Sequence, residues 1–149
     1  AHGPPGKLEQ IQFETTGCYG TCPVFSFSVD AEGHGRYTGQ SFVAKKGEAT
    51  FSASGAETNN FVKRLAEFRP RGEVTYDRSC DGPSATDSPS VHIVWMSERR
   101  VDILNWYLGC KQPGLAEHQD QIYGAWKELP VAQLVGADNS RPSSSGHEN

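Results

Sequence analysis

The chain has 149 residues, 36% of them hydrophobic and three of them tryptophan, enough to bury one sizeable core but not a second. A formal net charge of −4 excludes the broad basic surface that holds nucleic acid or anionic lipid through counterion release, so no nucleic-acid partner is expected. No apolar stretch approaches the roughly 18–20 residues of a membrane-spanning helix, so no transmembrane segment is expected either. A monomeric single domain over residues 8–136 is predicted, between a Gly/Pro-rich flexible arm at 1–7 and a Ser/Pro/Asn-rich disordered tail at 137–149. The chain opens on Ala1 and its only methionine is Met96, so either a leader has been removed or the sequence begins at an internal boundary.

Residues 8–15 alternate, Ile11 and Phe13 against Gln10, Gln12 and Glu14, which predicts a first strand. The run Cys18-Tyr19-Gly20-Thr21-Cys22-Pro23 follows. Fully extended, its two cysteine Cα atoms would stand roughly 13 Å apart, whereas a disulfide needs about 4.4–6.8 Å. If the two thiols bond, the segment is a turn, with Gly20 giving it freedom and Pro23 steering Cys22 into extended backbone. Phe25, Phe27 and Val29 then alternate with Ser26, Ser28 and Asp30, the period of a strand with one buried face. Ala31-Glu32-Gly33-His34-Gly35 signals a turn, and a return strand begins over Arg36 to Thr38. Further short strands are predicted at Phe42-Val43-Ala44 and at 49–52, on either side of the polar turn 45–48.

Ser54-Gly55-Ala56-Glu57 has the form of a capping box, and Phe61, Val62, Leu65 and Phe68 recur behind it at helical spacing until Pro70. Residues 77–90 are polar, aperiodic and rich in turn formers. Loops of this length are functional or tethered, and Cys80 is one tether. Residues 91–96 and 101–108 read as a strand hairpin. A second helix is predicted over 115–129, with Leu115, Gln119, Ile122, Trp126 and Leu129 on one stripe, Tyr123 beside it and Pro130 ending it; 131–136 forms a last short turn against the core. The order of elements gives an α+β fold: an antiparallel sheet, a meander and then a hairpin, with two helices packed on one face.

One close and one distant cysteine pair favour an oxidising compartment. The competing four-thiolate zinc site draws on two close pairs, and Cys80 lies far from Cys110. The spacing Cys18-x-x-x-Cys22-Pro23 also resembles the motif of thioredoxin-like copper chaperones, in which two thiolates and a distant histidine hold the metal. His92 or His118 would be that third ligand. Against it, the chaperone motif opens a helix, whereas 24–30 alternates as a strand. A dithiol oxidoreductase needs a cation or helix N-terminus beside its cysteine, and Tyr19, Gly20 and Thr21 supply neither. No Ser/His/Asp set or phosphate-cradling loop is present, so no catalytic residue and no cofactor is assigned. Thr86-Asp87-Ser88-Pro89 places a carboxylate where it can accept backbone N–H bonds and fix the long loop. Alternatively, Asp87 forms a binding face with Asp81 and Tyr19.

Cys18-Tyr19-Gly20-Thr21-Cys22-Pro23-Val24-Phe25, the strand and hairpin after it, the capped helix and Thr86-Asp87-Ser88-Pro89 together resemble a bacterial family, domain of unknown function 6438. Its members often follow a secretion or lipoprotein signal, and the likeness covers about residues 8–135. Family members commonly have tyrosine where this chain has Phe25, and Cys80 with Cys110 looks like the addition of a subgroup. The resemblance implies an extracytoplasmic α+β domain with a disulfide at the cysteine turn, and it implies no activity. With the glycine-containing turn, it pairs Cys18 with Cys22. Cys80 is expected to pair with Cys110, because a hairpin over 91–108 brings its outer ends together. The expected function is a non-enzymatic periplasmic, envelope-associated or secreted module that binds a protein or small ligand through the face bearing the cysteine turn and the long loop. The alternative is a thiol-dependent copper or redox protein using Cys18 and Cys22, and a hydrolase using Asp81 or Asp87 has only loop placement behind it.

Overall fold

The computed structural model describes residues 5–136. A meander of β1 (Leu8–Thr15), β2 (Val24–Asp30), β3 (His34–Ser41) and β4 (Gly47–Ser52) is followed by α1 (Gly55–Ala66), β5 (Glu73–Tyr76) and the hairpin β6 (Ser90–Ser97) and β7 (Val101–Tyr107). They form one seven-stranded sheet in the order β4-β3-β2-β1-β6-β7-β5. The first strand of the chain is therefore the middle of the sheet. Five neighbouring pairs are antiparallel, as expected, but β5 pairs parallel to β7, so the sheet is mixed. No strand was expected between α1 and the long loop. Four residues are too few to display a period, and β5 gains its partner only because α1 carries the chain to the far edge of the sheet.

Alternation becomes layering through register. Ile11 lies opposite Val29 and Trp95, and Phe13 lies opposite Phe27 and Ile93, so the apolar residues of β1, β2 and β6 share one face. On it the ring of Phe13 sits 5.3 Å from that of Phe27, and Phe61 of α1 covers both at 6.5 and 5.7 Å. Trp126 meets Phe25 edge-on at 5.7 Å. The β2–β3 turn is set by Asp30, whose carboxylate accepts from the amides of Glu32 at 3.0 Å and His34 at 2.9 Å. Gly33 provides the left-handed residue there, at φ 91°. Gly35 is required for a different reason: the ring of Phe51 packs where its Cβ would be.

Helix α1 begins as the capping box predicts. Ser54 Oγ accepts from the Glu57 amide at 3.1 Å, and the Glu57 carboxylate accepts from the Ser54 amide at 2.9 Å. The continuous helix expected over 115–129 is instead broken. It consists of a 3-10 turn at Ala116–His118, α2 (Gln119–Tyr123) and a second 3-10 turn at Ala125–Glu128, before α3 (Val131–Val135). Arg64 of α1 is the physical reason: its guanidinium donates to the carbonyls of Gln121 at 2.9 Å and Asp120 at 2.8 Å and to Glu128 at 2.8 Å. The Gln121 carbonyl, which a continuing helix would use, is spent on that bond.

The short strand expected at Phe42-Val43-Ala44 is a bend, with Phe42 at φ 55°. The amides that follow it donate to the end of α3, Ala44 to Val135 at 2.9 Å and Lys45 to Leu134 at 2.8 Å. They satisfy helix-terminal carbonyls rather than a neighbouring strand. Of the arm expected at 1–7, residues 5–7 are bonded to the β6–β7 turn. Arg99 donates to Pro5 at 2.8 Å, Glu98 donates to Lys7 at 3.0 Å, and the Lys7 amide donates to the Glu98 carboxylate at 2.9 Å. The rest of that arm and the tail expected at 137–149 lie outside the described residues.

Candidate functional site

The cysteine turn is a disulfide loop: Cys18 is bonded to Cys22, with Cα atoms 5.7 Å apart. Its base is closed by Thr15, a buried threonine at the end of β1. The hydroxyl donates to the Pro23 carbonyl at 2.8 Å and accepts from the Phe25 amide at 3.2 Å. Tyr19 projects from the tip, 88% exposed. Cys80 is bonded to Cys110 with Cα atoms 6.2 Å apart, pinning the long loop to the chain just beyond β7. Ala85 donates to Gly109 and Lys111 donates to Pro83, each at 2.8 Å, so the pinned stretch is strapped by main chain as well.

Tyr19 and Asp87 are brought together, because the Tyr19 amide donates to the Asp87 carbonyl at 3.3 Å. The bond runs through the main chain of Asp87, whose φ is 62°, and not through its carboxylate. Asp81 belongs elsewhere on the loop: its amide donates to the Gln112 side chain at 3.2 Å, and Gln112 returns a bond to its carboxylate at 3.3 Å. The sulfurs of Cys18 and Cys22, which the copper or redox alternative would use, are bonded to each other and in this state offer no free thiolate. The two histidines named as third ligands each have a neighbour of their own. His92 is hydrogen-bonded to Asn105 inside the sheet, and the ring of His118 lies 5.4 Å from that of Phe68. No group of three His, Cys, Asp or Glu side chains converges among the described residues.

The face of the sheet opposite the aromatic layer holds the more organised array. Glu48 pairs with Thr38, Thr38 with Ser26 and Ser26 with Glu14, from β4 inward to β1. Glu14 pairs with His92, His92 with Asn105 and Asn105 with Thr75, outward to β5. One uninterrupted polar row thus crosses all seven strands. Besides a cavity of about 510 Å³ over β3 and β4 at its Glu48 end, two open cavities lie along it, of about 330 Å³ over β1, β2, β3 and β6 and about 350 Å³ over β1 and β5–β7. Glu14 and His92 line both, so the two are halves of one cleft. The second half is the more apolar and reaches Thr16, Ser90 and Tyr107. Thr16 and Ser90 join the cysteine turn to β6, the Ser90 amide donating to the Thr16 hydroxyl at 2.8 Å. The Tyr107 hydroxyl donates to the Ala85 carbonyl of the long loop at 2.7 Å. The two loops therefore stand at one end of the cleft, although Tyr19, Asp81 and Asp87 do not line it.

Within the row, the Asn105 side-chain nitrogen donates to Glu73 at 3.0 Å and to Thr75 at 3.2 Å. A carboxylate only accepts, so the amide is oriented with its oxygen towards His92 Nδ1. That oxygen requires a proton on Nδ1, which leaves Nε2 of neutral His92 with its lone pair. Glu14, Ser26, Ser28, Arg36 and Asn105 were not singled out from the sequence. The available signal was the kind of residue on the wet side of each strand: short hydroxyls and amides, where a merely solvated face carries long charged side chains.

Residues 9–125 match the family described as Domain of unknown function (DUF6438). No curated protein and no solved structure matches the chain.

Proposed function

From the premise that this chain belongs to the DUF6438 family, which brings a fold and no activity, we propose that it is an extracytoplasmic, non-enzymatic binding module acting as a monomer. The ligand site is the polar cleft, with the disulfide loop and the long loop as the wall at one end. The observation that carries this is the row from Glu48 to Thr75. α1 and the broken 115–135 segment lie together on the aromatic face in this reading, and their placement leaves the polar face free for a ligand. A cleft with a few polar groups that converge on about 300–1,000 Å³ is the usual form of a small-ligand site. The extracytoplasmic assignment draws on two disulfides that take up all four cysteines, chemistry that a reducing compartment does not maintain. No helix among the described residues is long and apolar enough to cross a membrane.

Amide chemical-shift mapping against a panel of polar small molecules tests the site. Ligands are expected to move the amides of Gln12, Ser26, Ser28 and His92, and Ser26→Tyr, which fills the first cavity, is expected to abolish those shifts while the melting temperature holds. Shifts confined to the helical face, or a Ser26→Tyr variant that binds as the parent does, would overturn this reading.

A further inference from the structure

We infer that the cleft takes a small zwitterion, a short peptide with both ends free, its ammonium held by Glu14 and His92 and its carboxylate by Arg36. This deepens the binding reading above and rests on it. Glu14 and Arg36 line the same cavity of about 330 Å³. Neither makes an ion pair or a side-chain hydrogen bond with any described residue. Each charge is thus unspent, and both stand over one cleft.

Within this cavity the acceptors and donors stand at opposite ends, and Glu48, beyond Arg36, lines the neighbouring cavity over β3 and β4. Glu14 and His92 are directly paired across β1 and β6, and with Nδ1 held by Asn105 the neutral ring of His92 has its lone pair on Nε2. A carboxylate beside a lone pair accepts from the N–H groups of an ammonium. At the other end Arg36 is paired with Ser28, so a guanidinium fork and a hydroxyl face the same space. That set binds a carboxylate. A simple anion would meet Glu14, and a simple cation would meet Arg36. Only a ligand with both charges satisfies the two ends.

The span selects its length. Glu14 and Arg36 stand two strands and one two-residue step apart, which places their Cα atoms about 12 Å from each other at a strand spacing of about 4.8 Å. A single amino acid carries its charges too close together to reach both. An extended tripeptide spans roughly 10 Å, and the side chains close the remaining gap.

The test is an amide chemical-shift titration with triglycine, N-acetyl-triglycine and triglycinamide at neutral pH and low salt. Triglycine is expected to shift Ser26, Ser28 and His92, and blocking either end is expected to weaken binding about tenfold, as the loss of one charge-assisted contact does. Glu14→Gln should weaken triglycine and leave the acetylated peptide unchanged; Arg36→Gln should weaken triglycine and leave the amide unchanged. Both positions are exposed, so melting temperatures should match the parent. Equal binding of blocked and free peptides, no shift with triglycine, or variants that weaken all three probes alike overturns the assignment. If the neutral sugar maltotriose shifts the same amides and triglycine does not, the zwitterion falls while the cleft stands; if every probe shifts only residues outside the cleft, both fall.

Discussion

Thr15 shows how one hydroxyl fixes a loop that a disulfide alone would leave hinged. It is 2% exposed, and its oxygen both donates to Pro23 and accepts from Phe25, so both strands that flank the cysteine turn end on the same atom. Valine has the same shape without that atom. Thr15→Val leaves a half-buried carbonyl and a buried amide without partners, the amide alone a loss of about 1–3 kcal/mol. The expected outcome is a destabilisation of about 2 kcal/mol in urea unfolding with the slope unchanged, whereas Thr15→Ser keeps the bonds and loses about 1 kcal/mol with its methyl. Equal midpoints for Thr15→Val and the parent would show that the turn is held by its disulfide. None of this was visible in the sequence, where Thr15 is the last residue of an alternating strand.

At the scale of elements, the long loop is the segment with least structure of its own, and the Cys80–Cys110 bond is its main constraint. The bond encloses a sequence separation of 30 residues, and the chain-entropy model gives it roughly 3.5 kcal/mol. Replacing Cys80 and Cys110 together by serine should lower the melting temperature by roughly 10 °C under oxidising conditions. The far-ultraviolet spectrum should stay unchanged, since the bonds from Ala85 to Gly109 and from Lys111 to Pro83 remain. An unchanged melting temperature would mean that these straps already do the work. Elements with a strong local period were legible in the sequence: β1, β2, α1 and the β6–β7 hairpin each follow from alternation or from a cap. Those decided by a distant partner were not. β5 exists because β7 lies beside it, and the 115–129 helix is broken where Arg64 takes the Gln121 carbonyl.

For the whole molecule, the connection between α1 and β5 is tied to the β6–β7 hairpin by Asp102, which is fully buried. It accepts from Arg69 at 2.6 Å, the Gly72 amide at 2.7 Å and Arg100 at 2.9 Å. Burial works to raise its pKa, but the Gly72 amide and the two guanidinium groups outweigh it and hold the carboxyl below its ordinary 3.8. Since the folded pKa is the lower one, the unfolded chain binds more protons, and the stabilisation is present above the unfolded value and lost as pH falls through the folded one. The denaturation midpoint should therefore fall as the medium is acidified from about pH 5, and Asp102→Asn should be less stable at neutral pH yet decline less over that range. A parallel decline of parent and variant would assign the acid sensitivity to other carboxylates. The candidate site was legible only as the wet half of each alternation; joining those halves into one cleft needs the register of six strand pairs, which no single strand encodes. The same register bears on how the chain acquires its shape. The meander from β1 to β4 can close with neighbours in sequence, but the second edge of β1 finds its partner only when Val91 reaches Thr15 and Ile93 reaches Phe13. At a synthesis rate of about 5–20 residues per second, that edge stays open for about 4–15 seconds after β1 has been made. Throughout that interval, an exposed strand rich in apolar residues can pair with another chain, so the slow step and the hazard of aggregation fall on the same seam in the middle of the finished sheet.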